Sequence, residues 1–247
     1  MIASGGLFVP TIHHHARAFY IGIYPSPFFD VDGKTNVQAS WQLDRMKQPG
    51  CTIKKFEIDI KTNNALSDVK EIWGGYAEYD TEGPHIYKCG EYYYLLVAVG
   101  GTFEGYLLSI GRFRNIWGPY ESYEGNPIMT SDGKPGEYVQ NTDHGELLED
   151  NGGRWWPLVL GVRYDEGHFP LGRESFLTPF QWPEDGWPPS KVPNIEDVYI
   201  RAPKLDAYSF QDATQVETSP YTLAQWTYLH RMVHQHFMGR DSEHSNQ

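Results

Sequence analysis

Short runs of apolar and aromatic residues, joined in pairs by tight turns, recur along the first three quarters of the chain. The clearest turns lie at residues 30–33, 89–91 and 149–153. Asp-Gly and Asn-Gly pairs in such turns place glycine where a tight hairpin needs a positive φ. Serial hairpins of this kind predict an all-β protein. Their blade-sized spacing favours a β-propeller, and a β-sandwich stays open because it also gives serial hairpins.

Residues 52–60 alternate polar and apolar side chains, which predicts a half-buried strand.

The pattern changes towards the C-terminus. A Pro- and Trp-rich stretch at residues 181–189 predicts the exit from the main domain. Beyond it, apolar residues at spacings of three and four favour an amphipathic helix, namely Leu223, Trp226, Leu229, Val233 and Phe237. The sequence therefore predicts a main domain over residues 1–190 and a C-terminal extension over residues 191–247.

Composition narrows the class of partner. The formal net charge is −12, which argues against nucleic acid and favours a neutral saccharide or small molecule over an anion. Two cysteines, Cys51 and Cys89, make neither a disulfide framework nor a CxxC metal site. No apolar stretch has the length of a membrane span, and no secretory leader opens the chain. The default expectation is a cytoplasmic protein that does not contact membranes, of open oligomeric state.

Several motifs follow one another in a fixed order between residues 3 and 188. In chain order they are Ser4-Gly5-Gly6-Leu7-Phe8-Val9-Pro10-Thr11-Ile12, Glu82-Gly83-Pro84-His85-Ile86-Tyr87-Lys88, Gly100-Gly101-Thr102, Asp143-His144-Gly145-Glu146-Leu147 and Leu171-Gly172-Arg173-Glu174-Ser175-Phe176-Leu177. Together they resemble glycoside hydrolase family 43. The resemblance implies a five-bladed β-propeller and an O-glycosyl hydrolase of the β-xylosidase or α-L-arabinofuranosidase type. Its substrates would be xylo- and arabino-oligosaccharides of plant hemicellulose. Residues 197–210 resemble the start of a β-sandwich domain that some members carry after the propeller, so the extension over residues 191–247 would be a remnant of that domain.

Glu82 matches the general acid of that family. The family resembled is inverting: an acid protonates the leaving oxygen while a carboxylate base activates water on the opposite face. Gly83 and Pro84 make a constrained strand entry that aims the Glu82 side chain inwards. A solvated glutamate in a loop is the alternative interpretation of Glu82 taken by itself.

Four further residues carry expected roles from the same resemblance. Arg173 matches an arginine that holds sugar hydroxyls, and its alternative is a surface arginine paired with Glu174. Phe8 stands where the family places a sugar-stacking aromatic, and its alternative is a plain core aromatic. Thr102 is expected at the substrate. His144 matches a histidine at the propeller axis that faces a calcium ion or a water cluster, and a hydrogen-bonded core histidine is the alternative; no cofactor is required beyond that possible structural calcium.

The sequence also departs from the family pattern. The base Asp belongs to a first blade that would precede Ser4, so we expect that blade and its base to be missing. Tyr24 occupies the position of a second-blade Asp that orients the acid. Asp30 and Asp32 are carboxylates nearby, but both fit turn formation better. These departures leave two alternatives open: a catalytically impaired carbohydrate-binding propeller, or a gene fragment without function.

Overall fold

The computed structural model describes residues 10–15, 18–23, 25–44, 46–77, 79–100, 105–149, 152–164, 167–168, 172–177, 182–183 and 186–188. Regular structure within them consists of fourteen strands in antiparallel sheets, which confirms the all-β prediction. None of these segments forms a helix able to cross a membrane. The proposed C-terminal helix, the extension over residues 191–247 and the expectations for Phe8, Tyr24 and Thr102 fall outside the described residues.

The N-terminal strands form two sheets. The first is a hairpin of β1 (Pro10–His15) and β2 (Ala18–Ile23). The second has the order β3-β4-β5-β6, and a further strand, β7, also pairs with β5. Its members are β3 (Ser26–Phe29), β4 (Thr35–Gln42), β5 (Cys51–Asp59), β6 (Asn64–Ala65) and β7 (Lys70–Trp73).

Two more sheets follow in chain order. The third runs β11-β10-β9-β8 and is built from β8 (Thr81–Cys89), β9 (Tyr92–Val99), β10 (Leu107–Phe113) and β11 (Glu121–Ser122). The fourth runs β12-β13-β14 and is built from β12 (Val139–Glu149), β13 (Trp155–Arg163) and β14 (Arg173–Leu177). The turns expected at residues 30–33, 89–91 and 149–153 join β3 to β4, β8 to β9 and β12 to β13.

Strand β9 sits between two hydrophobic cores. Tyr94 and Leu96 face a core shared with β12 and β13, while Leu95 and Val97 face a core shared with β5 and β7. This alternation is the period of two that a strand imposes when both of its faces are buried. The third sheet therefore packs face to face with the sheets before and after it, as successive blades of a propeller do.

Strand β5 differs in one respect from its prediction. Cys51–Asp59 does form a strand, but polar side chains on both of its faces are buried: Lys55 is 0% exposed and Thr52 is 2% exposed. The reason is tertiary, because β5 lies inside its sheet between β4 and β7 and the Trp117 ring covers Lys55 Nζ at 3.3 Å from the ring centroid. The half-buried strand predicted from the alternation is buried on both faces over most of its length.

Candidate active site

Two β-bulges face each other where β8 approaches β12. In β8 the pairing with β9 shifts between Glu82 and His85, with Gly83 at φ +53°. In β12 the pairing with β13 shifts on both sides of Asp143, and His144 takes a φ of +33°. Bulges re-aim side chains and are frequent beside active sites. A positive φ at a non-glycine residue is uncommon and persists only where its surroundings impose it.

The two bulges bring Glu82 and His144 together. Glu82 Oε2 lies 3.5 Å from His144 Nε2, and the Glu82 side chain is 33% exposed while that of His144 is 5% exposed. A Cβ atom on Gly83 would lie 2.7 Å from His144 Nδ1. Glycine is therefore required at residue 83 both for its positive φ and for the space that the imidazole takes. The result is a carboxyl that reaches solvent while one of its oxygens contacts a buried histidine.

Asp143 is a second carboxyl at the same histidine. Its Oδ2 lies 3.9 Å from His144 Nε2, and the residue is 1% exposed. Among the described residues, neither Asp143 oxygen has a hydrogen-bond partner of normal geometry. The pKa of Asp143 is raised to about 7, chiefly by burial and in part by the charge of Glu82, against the lowering effects of His144 and Arg173.

Arg173 begins β14 and is exposed. Its Nη2 donates to the Tyr106 hydroxyl at 3.4 Å, and its charge acts on Asp143. The alternative pairing of Arg173 with Glu174 stays a prediction; Glu174 itself accepts two hydrogen bonds from Arg163, one of them from Nε at 2.7 Å. Neighbouring residues of a strand point to opposite faces, so Arg173 and Glu174 diverge. The electrostatic interaction with Asp143 places Arg173 near the bulge of β12.

A second histidine–carboxylate contact joins β8 and β12, a few residues along from the contact between Glu82 and His144. His85 Nδ1 lies 3.8 Å from Glu146 Oε1 and 3.3 Å from Ser26 Oγ. His85 is 7% exposed and the Glu146 side chain is 15% exposed. The strands β8 and β12 therefore exchange two glutamate–histidine contacts, each strand supplying one histidine and one glutamate. These two contacts fix the position of β8 relative to β12, although the two strands belong to different sheets.

The described part of the chain holds no set of side chains that could enclose the calcium implied at His144. No group of three or more His, Cys, Asp or Glu side chains there is arranged to hold a metal ion. Calcium takes six to eight oxygen ligands, whereas His144 Nε2 is a nitrogen that already contacts Glu82 and Asp143. The calcium stays a prediction from the resemblance and has no part in the chemistry below.

Of the five residues expected at the site, the structure brings Glu82, His144 and Arg173 to one place. Phe8 and Thr102 lie outside the described residues. Sequence reasoning assigned no role to Asp143 or to Tyr106. Asp143 precedes His144 in a quoted motif, but its burial, which sets its chemistry, has no signal in one sequence.

Comparison with known proteins gives a consistent result. The sequence model of the glycosyl hydrolases family 43 matches residues 3–188. A non-reducing end alpha-L-arabinofuranosidase of Bacteroides ovatus is 32% identical, over 94% of this chain and 49% of that protein. A beta-xylosidase of Bacillus subtilis is 32% identical, over 78% of this chain and 40% of that protein.

Solved structures agree with these relatives. A xylan beta-1,4-xylosidase from Bacillus halodurans superposes with a TM-score of 0.70 at 30% identity, over 76% of this chain and 44% of that one. A Bacteroides ovatus protein of the same family superposes with a TM-score of 0.68 at 28% identity. The chain spans about half the length, or less, of the relatives that it matches.

Proposed function

Because the chain belongs to glycosyl hydrolase family 43, we propose that it acts as a glycoside hydrolase on xylosides and arabinosides of plant hemicellulose, with Glu82 as the general acid. The observation that carries the proposal is the position of Glu82. It projects from a β-bulge, contacts a buried histidine at 3.5 Å and still exposes a third of its side chain. A general acid must both reach the substrate and be held in one orientation.

The proposed reaction is a single inverting displacement. Glu82 donates its proton to the glycosidic oxygen as the bond between that oxygen and the anomeric carbon breaks. A water molecule attacks the anomeric carbon from the opposite face and gives its proton to a carboxylate base, which leaves the sugar with inverted configuration. The His144 imidazole keeps the Glu82 carboxyl facing the leaving oxygen.

Substrate holding is proposed for Arg173, with Phe8 and Thr102 as the further contacts implied by the family. A guanidinium offers five donors in a fixed plane, which suits the adjacent hydroxyls of a pentose. The donor from Arg173 to Tyr106 and the electrostatic interaction with Asp143 support its orientation towards the bulges. The choice between xylose and arabinofuranose is open in this proposal.

Asp143 does not serve as the base in this proposal. A base must touch the attacking water, whereas Asp143 is 1% exposed and lies behind His144. Its position suits support of the acid instead. The base role is not assigned to a described residue.

Hydrolysis of nitrophenyl β-xyloside and nitrophenyl α-L-arabinofuranoside tests the proposal directly. We expect Glu82→Gln to lower kcat/KM by roughly a hundredfold to ten-thousandfold, the usual contribution of a general acid. The matched control is Glu91→Gln, which changes an exposed glutamate in the turn between β8 and β9 and should leave kcat/KM within about twofold. Equal turnover by Glu82→Gln and the unchanged chain would show that Glu82 is not the acid.

A non-catalytic carbohydrate-binding propeller is the second candidate. It is favoured by the burial of Asp143, which leaves the carboxyl beside Glu82 unable to activate water. Under this candidate the chain turns over neither glycoside, yet xylotriose raises its melting temperature. Loss of that thermal shift in Arg173→Ala, with Glu82→Gln unaffected, would distinguish binding at the same site from hydrolysis.

A further inference from the structure

A cavity of about 290 Å³ lies away from the two bulges. Its lining combines aromatic rings, amides, carboxyls and cations: Asp30, Asp32, Lys34, Asn36, Glu57, Tyr93, Arg114, Asn115, Ile116 and Trp117. The volume lies just below the roughly 300–1,000 Å³ usual for small-molecule sites. It therefore suits one small ligand unit and not an extended chain.

The cavity and the candidate active site occupy opposite ends of the same strands. Glu82 pairs with Ala98, whereas Tyr93, which lines the cavity, pairs with Lys88. Ala98 lies five residues after Tyr93 along β9, about 17 Å at the rise of an extended strand. A single sugar at the bulges does not reach that far, so an occupant of the cavity binds independently.

The cavity floor contains polar groups whose hydrogen-bonding capacity is only partly used. Asn36 is 1% exposed, and among the described residues its side chain makes one hydrogen bond, which its Oδ1 accepts from Lys55 Nζ. Its Nδ2 donors are left for an occupant. Lys55 is 0% exposed and rests on the half-buried Trp117 ring. Because Asn36 lines the cavity, its amide is within reach of an occupant.

Most charged side chains around the cavity already have a partner. Lys34 Nζ lies 3.1 Å from Glu57 Oε1, the Tyr93 hydroxyl donates to Asp30 Oδ2 at 2.9 Å, and Arg114 pairs with a glutamate outside the lining. A bound phosphate would meet three carboxyls, and a divalent cation would have to break these pairs. A neutral ligand with many hydroxyls meets both donors and acceptors without changing the charge balance.

We propose that this cavity is a second saccharide site, which takes one pentose unit of the polymer outside the reaction centre. An aromatic ring beside amides and carboxyls is the usual environment for a sugar, whose C–H face packs on the ring while its hydroxyls bond at the edge. The preference for a pentose rests on the proposed function, whereas binding of a polyol does not. Such a site holds the chain on its polymer between reaction events.

Xylotriose binding followed by ¹⁹F NMR tests the site. The eight tryptophans are replaced by 5-fluorotryptophan, and the Trp117 resonance is identified from the Trp117→Phe variant. We expect that resonance to shift saturably with xylotriose, and to do so equally in Glu82→Gln and Arg173→Ala. Arg114→Ala removes an exposed donor of the lining and should weaken binding about fivefold, the effect of one hydrogen bond.

The matched control is Arg154→Ala, an exposed arginine beside the Trp156 ring outside the cavity. It should leave the xylotriose affinity unchanged. Absence of a saturable Trp117 shift, or its loss in Arg173→Ala, would overturn the second site. Hydrolysis without a shift of the Trp117 resonance would contradict the second site alone. A shift of the Trp117 resonance without hydrolysis would contradict the proposed activity alone.

Discussion

Two buried ionisable side chains dominate the chemistry at the scale of the residue. Burial raises the pKa of Asp143 to about 7 and lowers the pKa of Lys55 to about 7, because a poorly solvated environment disfavours both charged forms. Asp143 lies beside Glu82 and Lys55 lies beneath the cavity at Trp117. Each of the two proposed sites thus has a buried ionisable group behind its exposed residues.

Lys55→Met tests the burial of that amine through the pH dependence of stability. Between about pH 7 and the ordinary lysine value of 10.5, the unfolded chain binds a proton that the folded chain has released. The free energy of unfolding of the unchanged chain therefore rises with pH across this whole window, relative to the variant, by about 5 kcal/mol. Below pH 7 both states are protonated and this contribution to the slope vanishes.

Urea unfolding at pH 6.5, 8 and 9.5 measures the Lys55 effect. Lys54→Met, a neighbouring lysine of β5 whose Nζ lies 4.6 Å from the Trp41 ring centroid, corrects for the loss of a lysine as such. Parallel pH curves for Lys55→Met and the unchanged chain would contradict a buried, neutralised amine.

At the scale of the element, two bulged strands position the side chains of the candidate active site, and a loop completes the hydrogen bonding of a third strand. The bulges of β8 and β12 turn Glu82 and His144 towards each other, as described above. In the third sheet, the segment after β11 completes the hydrogen bonding of β10. Asn126 is 7% exposed and pairs with both backbone groups of Ile110: its Nδ2 donates to the carbonyl at 2.8 Å and its Oδ1 accepts from the amide at 2.9 Å.

Asn126→Ala removes both of these bonds and leaves the buried Ile110 amide unpaired, while the Ile110 carbonyl still accepts a hydrogen bond from the Tyr123 amide at 3.0 Å. We expect the free energy of unfolding to fall by roughly 1–3 kcal/mol, the usual cost of one unsatisfied buried group. Asn64→Ala, an exposed asparagine bonded to a threonine hydroxyl, is the matched control and should change it by under about 0.5 kcal/mol. Urea denaturation compares the two variants. Equal losses would show that Asn126 is not a structural partner of β10.

At the scale of the whole molecule, aromatic residues from distant parts of the sequence connect the sheets. The Trp182 ring lies 4.8 Å from that of Tyr94 and 4.9 Å from that of Trp155, measured between centroids. Tyr94 belongs to β9 and Trp155 to β13, so Trp182 contacts two sheets at once. The stretch around residue 182, predicted as the exit from the main domain, therefore packs on the core.

Trp182→Ala is expected to lower the free energy of unfolding by about 3 kcal/mol, because a large aromatic is lost from a packed junction. We also expect a smaller denaturant m-value, since two sheets that are no longer connected unfold less cooperatively. Trp156→Ala removes a half-buried tryptophan of β13 that lies outside this junction and serves as the control. An unchanged m-value together with equal losses in both variants would contradict the connecting role.

The sequence by itself determined the hairpins, the all-β class and the family. These features depend on local turn chemistry, on the period of two and on ordered motifs, all of which are written in consecutive residues. The role expected of Glu82 came from such a motif, and the structure places that residue at a solvent-reaching bulge.

Only the tertiary structure decided which side chains are buried and which of them meet. Lys55 is buried although its strand alternates, Asp143 shares His144 with Glu82, and Glu174 accepts hydrogen bonds from Arg163. Burial depends on which sheet covers a strand, and that contact joins residues far apart in sequence. Periodicity predicts which residues share a face of a strand, but not what covers that face.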